Sequence, residues 1–238
     1  MVYRLVISPQ QIKAEQIIFT PEQQHYLGRV LRLNNGDRLV VMDGKGAAWK
    51  AEITATGGKI IEAIALDTEL PVAITLITAL PKGSGYEQIV RCCTELGVNT
   101  FIPVISERTI IKPSLNKVER WRKIAIEAAE QSERQIVPTI LTPVKFTQIL
   151  SDHSNLPANK YICVARGDRV SLWSSLSSRV KDSIAIATGC EGGWTETEIE
   201  QAISCGYQPV SLGKRILRAV TAPIAVVSLV VAALEGNS

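Results

Sequence analysis

Two glycine-bearing segments are where this sequence could gather chemistry: Thr188-Gly189-Cys190-Glu191-Gly192-Gly193 and Leu212-Gly213-Lys214-Arg215-Ile216-Leu217-Arg218. Each follows a short apolar run that reads as a strand, and open α/β sheets take their ligands at the carboxyl ends of strands. Glycine lets the backbone approach a ligand closely, and free amides ahead of a helix can hold carboxylate or ribose oxygens. Tight connecting turns would use the same glycines, so spacing alone leaves both readings open. Neither segment matches G-x-G-x-x-G, and Lys82-Gly83-Ser84-Gly85 puts its lysine ahead of the glycines, so a phosphate loop for nucleotide hydrolysis is not supported.

Other chemistries are poorly supplied. No G-x-S-x-G elbow is present for a Ser/His/Asp hydrolase, and only His25 and His153 carry imidazoles. Neither histidine has a second ligand at the spacing of a zinc helix, so no metal is expected. The five cysteines, Cys92, Cys93, Cys163, Cys190 and Cys205, are odd in number and contain no C-x-x-C pair. That argues against a disulfide framework or a zinc site and fits a reducing, cytoplasmic setting. The N-terminus reaches Pro9 before a signal-peptide hydrophobic region develops, and the most apolar stretch, Ala222 to Leu234, is too short to cross a bilayer. Neither export nor a membrane partner is expected.

With 238 residues, 46% hydrophobic and 21% charged, the chain has the balance of an ordinary globular protein with room for two compact units. The net charge of +3 is too small to argue for a polyanionic partner by itself. Its distribution says more. Arg108, Lys112, Lys117, Arg120, Arg122 and Lys123 stand against the single acid Glu119, and Lys214, Arg215 and Arg218 form a second basic group. Such groups either contact phosphates or simply solvate a helix face.

The elements that must position these residues fall into two patterns. Tyr3 to Ile7, Arg38 to Met42, Ala48 to Thr54 and Lys59 to Ala65 read as strands of a small β-barrel. Turns at Asp43-Gly44-Lys45-Gly46 and Gly57-Gly58 separate them, with glycine supplying positive φ. A helix from Pro21 to Val30 interrupts them. After Pro71, apolar strands alternate with helices, which predicts a mostly parallel sheet covered on both faces and a boundary near residue 72. The strands are Ala73 to Leu80, Thr100 to Ile105, Tyr161 to Val164, Ser183 to Thr188 and Pro209 to Leu212. Capping-box patterns at Ser84 with Glu87, Asn116 with Glu119 and Thr195 with Glu198 open three of the helices. In the second, Val118, Trp121, Ala125, Ala128 and Ser132 share one face. The stretch from Ser151 to Asn159 reads as a flexible connection.

Taken together, Gly189-Cys190-Glu191-Gly192-Gly193 and Ser211-Leu212-Gly213-Lys214-Arg215-Ile216-Leu217-Arg218 resemble the paired signature of the ribosomal RNA small subunit methyltransferase E family. Leu80-Pro81-Lys82-Gly83, Thr94-Glu95-Leu96-Gly97-Val98, Glu127-Ala128-Ala129-Glu130-Gln131-Ser132 and His25 to Arg32 extend the likeness over nearly the whole chain. Two positions depart from it: Cys190 stands where proline is usual, and Val220 where glutamate is usual. Arg215, Arg218, Thr221 and Ala222 keep the rest of the motif.

The resemblance implies an α/β protein: a PUA-like RNA-binding β-barrel over residues 1–72, and a SPOUT methyltransferase domain over residues 73–238 whose C-terminal loops form a trefoil knot. Chain-topology rules would argue against a knot, so this feature belongs to the resemblance alone. It implies S-adenosylmethionine as cofactor, held by Thr188, Gly189, Glu191, Gly192, Leu212, Gly213, Ile216, Leu217 and Arg218. Adenine would suit an apolar slot formed by Leu212, Ile216 and Leu217, while Glu191 would touch the cofactor or cap the following helix.

The implied reaction is methylation of uridine N3 in 16S ribosomal RNA, on the RNA or the small subunit, by a homodimer. Arg218 and Arg134 would favour the uridinate electrostatically, and a paired base would have to be splayed out first. Lys117, Arg120, Arg122 and Lys123 would grip RNA phosphates. The rival readings are a SPOUT enzyme for another RNA site, a non-catalytic RNA-binding relative and a small-molecule enzyme.

Overall fold

The computed structural model of the protein describes residues 2–151, 156–176 and 182–236. His153 and the rest of residues 152–155, part of the expected connection, lie outside them. The chain forms two compact units, Met1–Glu69 with Ala129–Val137, and Leu70–Ala128 with Pro138–Ser238.

The first unit is built on a six-stranded sheet. In chain order its strands are β1 (Arg4–Val6), β2 (Ile12–Lys13), β3 (Gln16–Ile17), β4 (Arg38–Met42), β5 (Ala48–Thr54) and β6 (Gly57–Ile64), arranged β1-β4-β5-β6-β3-β2. The β1–β4 pair is parallel and the others antiparallel. Leu5, Ile17, Leu39, Val41 and Ala51 come from edge and central strands alike yet meet in one core, so the sheet wraps around it. Helix α1 (Pro21–His25) runs on as a π-turn over Tyr26–Val30 and adds Leu27 to that core, with Thr20 and Gln23 closing a capping box at its start.

The first turn forms where expected, with Gly44 and Gly46 at positive φ, and the second differs in its details. At the first, the Asp43 carboxylate accepts hydrogen bonds from the backbone of Lys45 (2.8 Å) and Ala47 (3.0 Å). At the second, Thr54 pairs with Gly57, so Ala55 and Thr56 make the turn and Gly57 opens the strand. Glycine is required there because a Cβ would stand 2.3 Å from the Ile17 carbonyl oxygen of the adjacent strand.

The second unit holds a seven-stranded sheet made of β7 (Ile74–Ala79), β8 (Thr100–Ile105), β9 (Thr139–Ile140), β10 (Val144–Lys145), β11 (Asn159–Cys163), β12 (Ile184–Thr188) and β13 (Gln208–Val210). Their order is β10-β8-β7-β12-β11-β13, with β9 also on β8, and every pair is parallel. Helices α2 (Gly85–Glu95), α3 (Leu115–Gln131), α4 (Phe146–Ser151), α5 (Leu172–Leu176), α6 (Glu196–Ser204) and α7 (Thr221–Glu235) complete the chain. On one face Ile77, Val104, Ile162 and Ala187 pack with Phe146 and Leu150 of α4 and Ile199 and Ala202 of α6. Elsewhere α2 packs on α7, and Tyr86 meets Trp121 of α3 at a ring-centroid distance of 4.4 Å. Parallel strands buried in this way need near-continuous apolar sequence, which is what β7, β8 and β12 in the middle of the sheet have.

Only one of the expected caps has the expected form. Thr195 and Glu198 close a reciprocal capping box, whereas Ser84 makes no side-chain cap bond. Helix α3 begins at Leu115, so Asn116 is already helical and Glu119 pairs with Arg122 instead (2.5 Å). Val118, Trp121, Ala125 and Ala128 form its buried face, as their spacing requires.

Candidate functional site

Strands β11, β12 and β13 are where the second unit concentrates its loops. Because β11 lies between β12 and β13, the connection from β12 to β13 must cross over it, and the loops after all three strands gather at their carboxyl ends. A cavity of about 530 Å³ opens there, lined in part by Cys163 to Gly167, Arg169, Thr188 to Trp194, and Leu212 with its neighbours. That volume suits a nucleoside-sized ligand.

The floor is buried and fixed. Thr188 is fully buried and donates to Thr78 of the adjacent strand at 3.2 Å. Beyond it the 189–194 segment is tied from three sides. Arg108 Nη1 donates to the carbonyls of Gly192 (2.6 Å) and Trp194 (3.1 Å), and the Lys82 backbone N–H donates to Glu191 Oε1 (3.0 Å). The buried Glu198 carboxylate accepts from the backbone of Thr195 and of Glu107, each at 2.9 Å. Glu191 therefore holds its own loop and does not cap α6, a role that Thr195 fills.

Cys190 is buried on Ser106, 3.8 Å from its hydroxyl, and is a packing residue beneath the loop. Cys163 lines the cavity too, but burial pushes its thiol up to about 12, so it carries no thiolate near neutral pH. Across the cavity, Gly213 has φ +110, a conformation that excludes other side chains without strain.

Of the residues singled out in the sequence, Thr188, Gly189, Glu191, Gly192, Leu212, Gly213, Ile216 and Leu217 all line this one cavity. Arg218 is exposed between the lining residues Leu217 and Ala219 without lining the wall itself. Arg134, expected beside the substrate base, is 2% exposed in the first unit, and its guanidinium is bonded to Glu69 at 2.7 and 3.2 Å. A cation so enclosed and paired is a structural group.

The basic face of α3 is divided. Arg120 pairs with Glu87 at 2.9 Å, and Arg122 donates to the Ile140 carbonyl at 3.1 Å as well as to Glu119. Lys117 and Lys123 are exposed and form no ion pair among the described residues.

Sequence reasoning missed Arg108 and the segment Ala165-Arg166-Gly167-Asp168-Arg169. The second had a readable signal, since it is a third glycine-bearing loop after a strand. Among the described residues no cluster of three His, Cys, Asp or Glu side chains could hold a metal, and no helix is long and apolar enough to cross a membrane.

With this geometry in view, comparison with known proteins is specific. A family model described as an RNA methyltransferase domain matches residues 68–231, and one described as an RNA methyltransferase PUA domain matches residues 19–66. The ribosomal RNA small subunit methyltransferase E of Synechocystis sp. is 48% identical over 239 residues, covering 99% of this chain and 79% of that protein. Its Bacillus subtilis counterpart is 32% identical over 242 residues, covering 96% and 94%. A crystal structure of the Neisseria gonorrhoeae enzyme bound to S-adenosyl methionine matches with a TM-score of 0.86 and 33% identity over 96% of each chain.

Fold and site thus define an RNA methyltransferase, with a PUA-like N-terminal unit and a SPOUT-type α/β unit. The chain belongs to the ribosomal RNA small subunit methyltransferase E family.

Proposed function

We propose that the protein methylates N3 of a uridine in 16S ribosomal RNA, using S-adenosylmethionine. The observation that supports this reading best is the cavity at the ends of β11, β12 and β13, where both glycine-bearing loops meet on a preformed wall. Its residues suit the cofactor. Leu212, Ile216 and Leu217 offer adenine an apolar slot, and the Gly189, Gly192 and Gly213 backbones offer polar groups at close approach. Two structural relatives, from Neisseria gonorrhoeae and Legionella pneumophila, are described as holding S-adenosyl methionine and SAM respectively.

When bound, S-adenosylmethionine supplies the methyl group on a sulfonium. The chain's residues do the rest. Uridine N3 is a poor nucleophile until its proton leaves, and the Arg218 guanidinium lowers the cost of the resulting anion. The fixed 189–194 wall holds the donor in place, so proximity supplies much of the rate. Arg134 takes no part in this account. Residues 1–72 serve RNA binding and residues 73–238 methyl transfer, with Lys117, Arg120, Arg122 and Lys123 contacting phosphates, Lys117 and Lys123 most freely. The working form is a cytoplasmic homodimer whose C-terminal loops close as a trefoil knot, as the family resemblance implies.

The test is incubation of the protein and labelled S-adenosylmethionine with small ribosomal subunits from cells lacking the enzyme, followed by nuclease digestion and mass spectrometry. One N3-methyluridine is expected in 16S RNA. Label at another atom or in no subunit RNA would sink the assignment.

A further inference from the structure

The cavity wall carries four arginines, Arg108, Arg166, Arg169 and Arg215, against two acids, Glu191 and Glu196. Arg108 is committed to the Gly192 and Trp194 carbonyls. The side chains of the other three make no hydrogen bond or ion pair among the described residues, and Arg169 Nε is buried without an acceptor. A buried guanidinium donor left without a partner is uncommon, and on a cavity wall it calls for an acceptor from outside the chain.

The backbone brings these arginines together. The ends of the Ala165–Arg169 segment are fastened to the chain at the end of β13: Val164 N–H donates to the Val210 carbonyl, Ser211 N–H to Val170 and Leu172 N–H to Ser211, at 2.9, 2.9 and 3.0 Å. A parallel bridge joins Ser171 to Ser211. The loop bearing Arg166 and Arg169 is thereby anchored beside the loop bearing Lys214, Arg215 and Arg218, and none of these five cations has a carboxylate partner among the described residues.

The cofactor does not account for this excess. S-adenosylmethionine has one carboxylate but also an ammonium and a sulfonium, so its net charge is positive, and three further guanidiniums would oppose it. A polyanion reverses that sign. We propose that Arg166, Arg169 and Arg215 form a clamp for the RNA strand at the cavity mouth, holding phosphates on either side of the target nucleotide. Guanidinium forks suit phosphate oxygens, and contacts of this kind fix where the strand lies without reading its bases.

The experiment measures filter binding of small ribosomal subunits, in the presence of S-adenosylmethionine, across a salt series. It compares the wild type with Arg166→Ala/Arg169→Ala and Arg166→Lys/Arg169→Lys, and Arg166→Ala alone serves if the double variant fails to fold. Each lost phosphate contact on a single strand lowers the salt slope by about 0.7, so the double alanine variant should lose roughly 1.4 and bind several-fold more weakly at about 0.1 M salt. The lysine variant should regain most of the slope, while calorimetry should find cofactor affinity within about twofold of wild type. An unchanged slope overturns the clamp, and so does a parallel collapse of cofactor affinity, which would assign these arginines to the cofactor carboxylate. Binding is read without reference to the methylated atom, so this result stands apart from the N3 assignment.

Discussion

The guanidinium of Arg134 and those at the cavity mouth occupy opposite environments. Arg134 is almost wholly enclosed, with Glu69 accepting from its Nε and Nη2 and also from the Ile136 backbone at 3.0 Å. Arg166, Arg215 and Arg218 are exposed and lack acidic partners among the described residues. An enclosed cation is tolerable only when paired, so it joins segments of its own unit; an exposed, unpaired one costs little and remains available to a ligand. The same side chain is thus enclosed and paired at Arg134 and left open to a ligand at Arg166, Arg215 and Arg218.

The strongest way to break that contrast is to remove the carboxylate beside the enclosed charge. Glu69→Ala deletes the acceptor of the buried Arg134 guanidinium and of the Ile136 N–H, and stability should fall by about 3–5 kcal/mol. Urea denaturation followed by circular dichroism would measure it. A loss below about 1 kcal/mol would mean that Arg134 reaches solvent and is not the structural cation described here.

Arg218→Ala should do the reverse, sparing stability while lowering kcat by roughly 100-fold, the order expected when a single electrostatic group facing a developing anion is removed. Single-turnover methylation of small subunits gives the rate. A near-normal rate with intact folding would remove Arg218 from the chemistry.

Arg108 tests the wall between these extremes. Arg108→Ala deletes both carbonyl contacts to the 189–194 segment, and charge-assisted hydrogen bonds contribute about 1.5–3 kcal/mol each. Since the loop retains Lys82 and the capping box, roughly the lower figure is expected, a tenfold weaker cofactor affinity by calorimetry. Arg108→Lys should not restore it, because both contacts come from the terminal Nη1 and the shorter lysine side chain ends where the guanidinium carbon stands. Full restoration by lysine would show that charge alone holds the loop.

These contrasts also mark how far the sequence could be read. Strands β4, β5 and β8 begin and end where their apolar runs between turns place them. The two-residue strands β2, β3, β9 and β10 are too short to show any periodicity and depend on neighbours distant in sequence. Ser84 with Glu87 and Thr195 with Glu198 have the same local pattern, yet only the second forms a box, because Thr195 is extended whereas Ser84 has φ −100 and ψ 9 and the Glu87 N–H donates to its backbone carbonyl. The two glycine segments were legible as strand-end loops. Arg108 was not, since its partners lie 84 and 86 residues away. Nor could composition separate Arg134 from Arg218, because burial and the Glu69 partner exist only once the chain has folded.

The smallest expected effect is set by pH, and it too separates the units, because all five cysteines lie in the second. Burial raises the Cys163 thiol from an ordinary 9.0 to about 12 and raises Cys93 and Tyr86 as well. Above pH 9 the unfolded chain releases thiol protons that the folded chain keeps. The folded state then binds more protons, and stability declines as pH rises from about 9 toward 12. Cys163→Ala removes one of the responsible groups, so its urea midpoint, lower at pH 7.5 for lost packing, should fall less steeply between pH 8 and 10.5 than the wild type's. Parallel declines would mean that Cys163 reaches solvent through the cavity it lines and ionises in the folded state much as it does in the unfolded one.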